Sequence, residues 1–278
     1  MRMDLDQIQP PGHKKMPIQK IKNERPVVLK TQGLTKSYGA VTAVKDIDLS
    51  VQVGERLVIL GPNGAGKSSL LNILAGEVSP SSGSVEIFGK EAANTSISSR
   101  VKMGVRRTFQ HSQLLALMTV EQHLALAIQA YAQQHWSLRA ALSSERREAA
   151  HQLAHRCRIE GLLHKQANEL SHGERRQLEL AMCMGGAARM LLLDEPAAGL
   201  SPSERVWLKE WILALDREVT VLLIEHDMDV ALTVADRVVV MQNGVVAFRG
   251  DVNEVTGNAY VQEIYLGSHV QNNQEVIA

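Results

Sequence analysis

Three short stretches of this chain carry residue types at spacings suited to phosphate chemistry. GPNGAGKSS, residues 61–69, fits the pattern G-x-x-x-x-G-K-S between an apolar run and a helical one. Such glycines let backbone N–H groups close on the β- and γ-phosphates of a nucleoside triphosphate. Lys67 adds a point charge, and the Ser68 hydroxyl is placed for Mg²⁺. The predicted cradle is Gly61, Pro62, Asn63, Gly64, Ala65, Gly66, Lys67, Ser68 and Ser69. LLLDEP, residues 191–196, ends an apolar strand in two carboxylates. Asp194 can hold Mg²⁺ through water and Glu195 can polarise an attacking water, although such a pair can also cap a turn before Pro196. IEHDM, residues 224–228, ends another apolar strand in His226, where an open α/β sheet places its ligand crevice. A metal site from His226 and Asp227 is not expected, because adjacent residues seldom face one ion.

Other positions are less decided by pattern. Gln110 follows a strand-like segment in RRTFQ, and its amide suits a sensor of Mg²⁺ and water; a loop glutamine can equally be inert. Tyr38 can stack on a purine or pack in its strand. LSHGE, residues 170–174, sits ahead of helically spaced Leu178, Ala181 and Met182. Small residues there, with first-turn N–H groups and the positive dipole end, describe a second anion site.

The elements that must position these residues alternate. Val27 onward reads as half-buried strands in VVLKTQG and IDLSVQV, and then RLVIL runs into the glycine loop. MLLL, VTVLLI and RVVVM are later buried strands, the last before an Asn243-Gly244 turn. Buried strands alternating with helices predict a mainly parallel α/β sheet. From about 111 to 184 the text becomes helical, with cap-like Thr119…Gln122 and Ser144, so a helical insert is expected. Ser201, Pro202 and Glu204 read as N-cap, N1 proline and capping-box acid, and Trp207 and Trp211 share a core-facing side. Residues 1–26 are proline-rich and aperiodic, a tail without a fixed fold.

Composition sets outer bounds. The chain has 278 residues, 45% hydrophobic and 22% charged, with net charge +0. Neutral balance gives no support to a nucleic-acid binder. Cys157 and Cys183 form no CxxC pair, which fits a reducing compartment. No apolar run approaches the roughly 20 residues that cross a bilayer, so any membrane link runs through a partner.

Together these residues resemble an ATP-binding cassette ATPase, from about Val28 to Gly267, because six motifs occur in that family's order. Tyr38 matches the adenine-stacking aromatic, Gln110 the loop facing membrane subunits, LSHGE the LSGGQ-type signature, and His226 the switch histidine. The resemblance implies an α/β P-loop NTPase (RecA-like) core with an N-terminal antiparallel β region and an inserted helical subdomain. It implies ATP and Mg²⁺, with domain bounds 27–267 and a C-terminal tail 268–278. It also implies that two cassettes pair head to tail, so that Ser171, His172, Gly173 and Glu174 act on the partner's ATP. His172 and Glu174 depart from the glycine and glutamine usual there, and Ser201 stands where aspartate is frequent. GVRRTFQ, DEPAAGL, IEHDM and EIYLG look like ATPases of branched-chain amino acid importers, with urea and short-amide importers as the alternative. The implied partners are a second cassette (homo- or heterodimer), two polytopic permease subunits and an extracytoplasmic binding protein, at the cytoplasmic face of the inner membrane. A non-transport ATP switch of this family would show tandem cassettes or a long coiled coil, and the chain has neither.

Overall fold

The computed structural model describes residues 25–108, 114–131, 143–259 and 261. An antiparallel hairpin comes first, β1 (Val27–Tyr38) and β2 (Val41–Gln52). β3 (Arg56–Leu60) leads through the glycine loop into α1 (Lys67–Ala75). β4 (Ser82–Ile87) returns to β1 and carries β5 (Lys90–Glu91); α2 (Ile97–Met103) and β6 (Val105–Arg107) follow. Helices α3 (Val120–Tyr131), α4 (Ser144–Arg156) and α5 (His172–Cys183) come next, with α3 packed on both others. Then come β7 (Met190–Asp194), α6 (Pro202–Ala214), β8 (Thr220–Ile224) and α7 (Met228–Val234). β9 (Arg237–Gln242), β10 (Val245–Gly250) and α8 (Val252–Gly257) close the fold.

Two sheets result, β2-β1-β4-β5 and β10-β9-β3-β8-β7-β6. From β9 to β6 every pairing is parallel, and β10 alone folds back antiparallel. Its turn uses Asn243 and Gly244 at φ 50° and 80°, the conformation an Asn-Gly hairpin requires. Strands such as RLVIL are apolar at every position because both faces are covered. Leu57 and Ile59 join Leu70 and Leu74 of α1 and Ile47 and Ile87 of the antiparallel sheet. Val58 and Leu60 face the other way, toward Leu124, Leu178 and Leu208 of the helical layer. One strand therefore serves two cores.

Register then decides where function can sit. Ile59 pairs with Ile224, and Ile224 with Asp194. The residues just beyond β3, β8 and β7 consequently emerge side by side at one edge of the sheet.

Local caps follow the sequence with one correction. Thr119 and Gln122 cap reciprocally, the Thr119 N–H donating to Gln122 Oε1 at 2.9 Å. Ser201 caps α6 with Pro202 first in the helix and Glu204 closing the box. Ser143, not Ser144, caps α4: it keeps extended backbone (φ −64°, ψ 155°) and its Oγ accepts from the Arg146 N–H, whereas Ser144 is already helical. Trp211 is buried and stacks on half-buried Trp207 at 6.1 Å. Of the expected tail, residues 1–24 lie outside the described residues, while Pro26 accepts from the Val53 N–H at 2.9 Å. Residues 111–113, EIYLG and 268–278 also lie outside them.

Leu222, fully buried in central β8, faces the α1 layer. Leu222→Ala should cost about 2–5 kcal/mol of stability through lost burial and a residual cavity. A lower denaturant midpoint at unchanged slope is the expected reading.

Candidate functional site

The glycine loop is held by close packing. Gly66 caps α1 at φ 96°, and a Cβ there would lie 2.1 Å from the Ala43 carbonyl oxygen of β2. The loop is thus pressed against β2, two residues after that strand leaves the Tyr38 turn. Tyr38 ends β1 on the surface, 45% exposed, with Lys36 Nζ 5.1 Å from its ring centre. Lys67 is buried, and its ammonium donates to the carbonyls of Gly61 (2.7 Å) and Pro62 (3.0 Å). Burial pulls its pKa below the ordinary lysine value, while Glu195 and Asp194 act in the opposite sense. Ser68 and Ser69 lie half-buried in the first turn of α1, and Asn63 and Gly64 face solvent.

Across the strand ends sit the acids. Asp194 is 1% exposed and accepts from Arg107 Nη2 at 3.1 Å. Burial raises its pKa and Arg107 lowers it. Arg107 also pairs with Glu77 (2.9 Å) and donates to Asn72 Oδ1 (2.6 Å), which ties β6 to α1. Glu195 is open enough to meet a ligand, and its Oε2 lies 3.8 Å from His226 Nδ1. Neither side chain needs to cross the sheet, because their strands are neighbours. Gln110 lies outside the described residues.

Glu225 was passed over by motif reading, yet it shapes both loops. It is fully buried; Oε1 accepts from the Ala197 N–H (2.7 Å), and Oε2 from the N–H groups of His226 (3.0 Å) and Asp227 (3.2 Å). Burial pushes its pKa up, and those three N–H groups draw it back. A carboxylate ending a buried strand was visible in TVLLIE, the same signal that marked Asp194. Arg107 and Arg176 were missed as well. Arg176 belongs to the buried stripe of α5 with Gly173 and Leu180, where a charge is out of pattern.

The LSHGE stretch forms the start of α5, with Ser171 as N-cap. Ser171 Oγ accepts from the Glu174 N–H at 3.1 Å, and Glu174 Oε2 accepts from the Ser171 N–H at 2.8 Å. Two of the donors expected to greet an anion are thus engaged, which leaves those of His172 and Gly173 in the first turn. Gly173 leaves room for Glu204 of α6: a Cβ would lie 1.7 Å from Glu204 Oε1, so that side chain would have to move. His172 Nε2 lies 3.3 Å from the Ala198 carbonyl oxygen. The signature therefore packs on the loop beyond Glu195, and its helix lines a cleft of about 270 Å³ together with Asp194 and Glu195.

Comparison with known proteins accords with this geometry. The family model described as ABC transporter matches residues 44–198. The chain belongs to the ABC transporter family. The cassette is 35% identical over 255 residues to the high-affinity branched-chain amino acid transport ATP-binding protein BraF of Pseudomonas aeruginosa, covering 86% of this chain and 98% of that one. LivG of Escherichia coli K12, of the same description, is 34% identical over the same shares. In structure it is similar to the ADP conformation of MJ1267, an ATP-binding cassette of an ABC transporter. That match has a TM-score of 0.77 and 29% identity, and covers 87% of this chain and 99% of that one. The cassette is an ATPase of the P-loop class, with an antiparallel sheet beside the parallel one. Among the described residues no helix is long and apolar enough to cross a membrane.

Glu174 yields a pH prediction. A hydrogen bond from Lys165 (Nζ to Oε1, 2.7 Å), then the Ser171 N–H, hold its pKa below the ordinary carboxylate range. Its ionised form is favoured by folding, so this stabilisation is complete above the unfolded value of about 4.3 and is lost as pH falls through the lowered native value. Glu174→Gln should lower thermal stability in the neutral region and leave the acid end, where Glu174 is protonated, nearly unchanged, so that the pH profile becomes flatter. Melting curves from about pH 3 to 7 read it.

Proposed function

We propose that this cassette is the ATP-hydrolysing motor of an importer for branched-chain, hydrophobic amino acids. The observation that carries the catalytic part is the Glu195–His226 pair, 3.8 Å apart at the strand edge that also bears Lys67. The amino-acid cargo is supported by similarity to BraF and LivG, since cargo does not touch a subunit of this kind.

In this reading the loop Gly61–Ser69 cradles the phosphates, Lys67 exchanges its two carbonyl partners for phosphate oxygens, and Tyr38 stacks on the base. Glu195 orients or deprotonates the attacking water, and His226 holds that carboxylate and the terminal phosphate in line. The residues suit Mg²⁺: Ser68 at the head of α1, Asp194 through water and Gln110 would share it. No cluster of three His, Cys, Asp or Glu among the described residues could cage an ion, and Mg²⁺ characteristically relies on water and phosphate instead. When bound, it would neutralise charge on the β- and γ-oxygens. Ser171, His172, Gly173 and Glu174 serve the ATP of a second cassette, and the His172 contact with the Ala198 carbonyl ties each signature to the loop that follows its own Glu195.

The proposed assembly has two cassettes, two permease subunits and an extracytoplasmic binding protein, with the cassettes peripheral at the cytoplasmic face. The segment that would dock on a permease subunit is His111 to Thr119, after Gln110, and support for it comes from its described residues 114–118. Leu114 packs into the core, but Leu115 and Leu117 are 56% and 77% exposed. Their backbone is fastened to the lead-in of the signature: Ala116 and Met118 accept from the N–H groups of Asn168 (3.0 Å) and Ala167 (2.9 Å). A push on this segment reaches Ser171 within a few residues.

Glu195→Gln keeps the shape and removes the base. ATP binding should persist while turnover falls about 10²–10⁴-fold, and ATP should then hold the cassettes as dimers. Size exclusion with ATP, beside phosphate release, tests this; wild-type turnover would sink the catalytic assignment. For coupling, Leu115→Glu with Leu117→Glu should lower transport in vesicles more than basal ATPase. Equal losses together with a lower melting temperature would count against docking there.

A further inference from the structure

The loop that presents Glu195 is held by its own turn bonds and by its neighbours. Glu195 adopts a left-handed backbone, φ 46°, which a non-glycine residue holds only when its surroundings enforce it. Its N–H donates to the Ile224 carbonyl at 2.9 Å, which secures the entry to the turn. At the exit the Ala198 N–H donates to the Glu195 carbonyl at 3.2 Å, Glu225 accepts from the Ala197 N–H at 2.7 Å, and one side chain of α5 binds three successive carbonyls. Arg176 Nη2 donates to the carbonyls of Asp194 (3.1 Å) and Glu195 (3.3 Å), and Nε donates to that of Pro196 (3.3 Å). Its Nη1 meets Glu179 at 3.0 Å, so the guanidinium is fixed in plane within a largely buried pocket. One turn earlier on the same helix, His172 reaches the Ala198 carbonyl.

We propose that Arg176 is a positioning residue for catalysis, a planar fork that gathers the carbonyls of residues 194, 195 and 196 and thereby aims the Glu195 carboxylate. This rests on the catalytic reading of Glu195. Arg176 follows Ser171 on α5, so whatever engages the signature also bears on the aim of this chain's own carboxylate. Lysine would keep the charge but, as a point donor, could not span three carbonyls.

The test is ATP turnover of the full chain for Arg176→Gln and Arg176→Lys, each alone and combined with Glu195→Gln. Arg176→Gln should lower kcat about 10²-fold, the scale of an ångström-level misplacement, with KM and nucleotide affinity unchanged. Arg176→Lys should recover part of that loss. In single-turnover measurements on the Glu195→Gln background, either Arg176 change should add nothing, because both act through one carboxylate. Three results would each overturn the proposal: an equal further loss on that background, a loss confined to KM, or wild-type kcat in the Arg176 variants. If Arg176→Gln does not fold, the Arg176→Lys cycle decides by the same criteria. Wild-type turnover in Glu195→Gln alone would remove the catalytic reading and this proposal with it. Loss there, with none in the Arg176 variants, would remove this proposal only.

Discussion

The shared register of β3, β8 and β7 is the constraint on which the rest of the molecule depends. Ile224 pairs with Ile59 on one side and Asp194 on the other, so the phosphate loop, Glu225 and Glu195 leave the sheet at one level. In a parallel sheet a slip of one residue would turn Leu57 and Ile59 away from α1 and into the helical layer. The apolar filling of both layers forbids that slip. Burying one such leucine or isoleucine is worth about 1.5–3 kcal/mol, and each strand contributes two apolar side chains to each face. The chemistry at the edge is therefore aligned by hydrophobic packing some distance below it.

Polar groups brought into that edge must be answered, since an unpaired buried charge is costly. Each is answered differently. Asp194 is matched by Arg107, which also reaches Glu77 and Asn72 and so joins β6, β7 and α1. Glu225 is matched by backbone alone, three N–H groups from two loops. Arg176 is matched by carbonyls and by Glu179. These arrangements leave Glu195 and His226 as the open pair, with side chains 35% and 61% exposed. These two side chains stay accessible because the groups behind them carry the burial.

The signature illustrates how one stretch serves two ends. Its capping box with Glu174 stabilises α5 without any ligand, and its glycine admits Glu204 of α6. The replacement of the family's glutamine by Glu174 thus has a local account, a carboxylate shared between the Ser171 N–H and Lys165. Ser201, which departs from the family's aspartate, has one too, as the cap of α6.

What the sequence determined by itself was everything governed by short range. GPNGAGKSS between strand and helix, the all-apolar strands, the Asn243-Gly244 turn and the box at Ser201 depend on residues a few positions apart, so their types disclose them. Even there the choice of Ser143 over Ser144 escaped, because adjacent serines differ only in which one leaves the helix. Only the tertiary structure decided the meeting of Glu195 with His226, 31 positions apart, and the roles of Arg107, Arg176 and Glu225. Arg176 finds its carbonyls 18 to 20 residues downstream, and Glu225 reaches 28 residues back to Ala197. Such partners carry no spacing rule, since the intervening chain is a loop, a helix and a strand whose packing alone closes the distance.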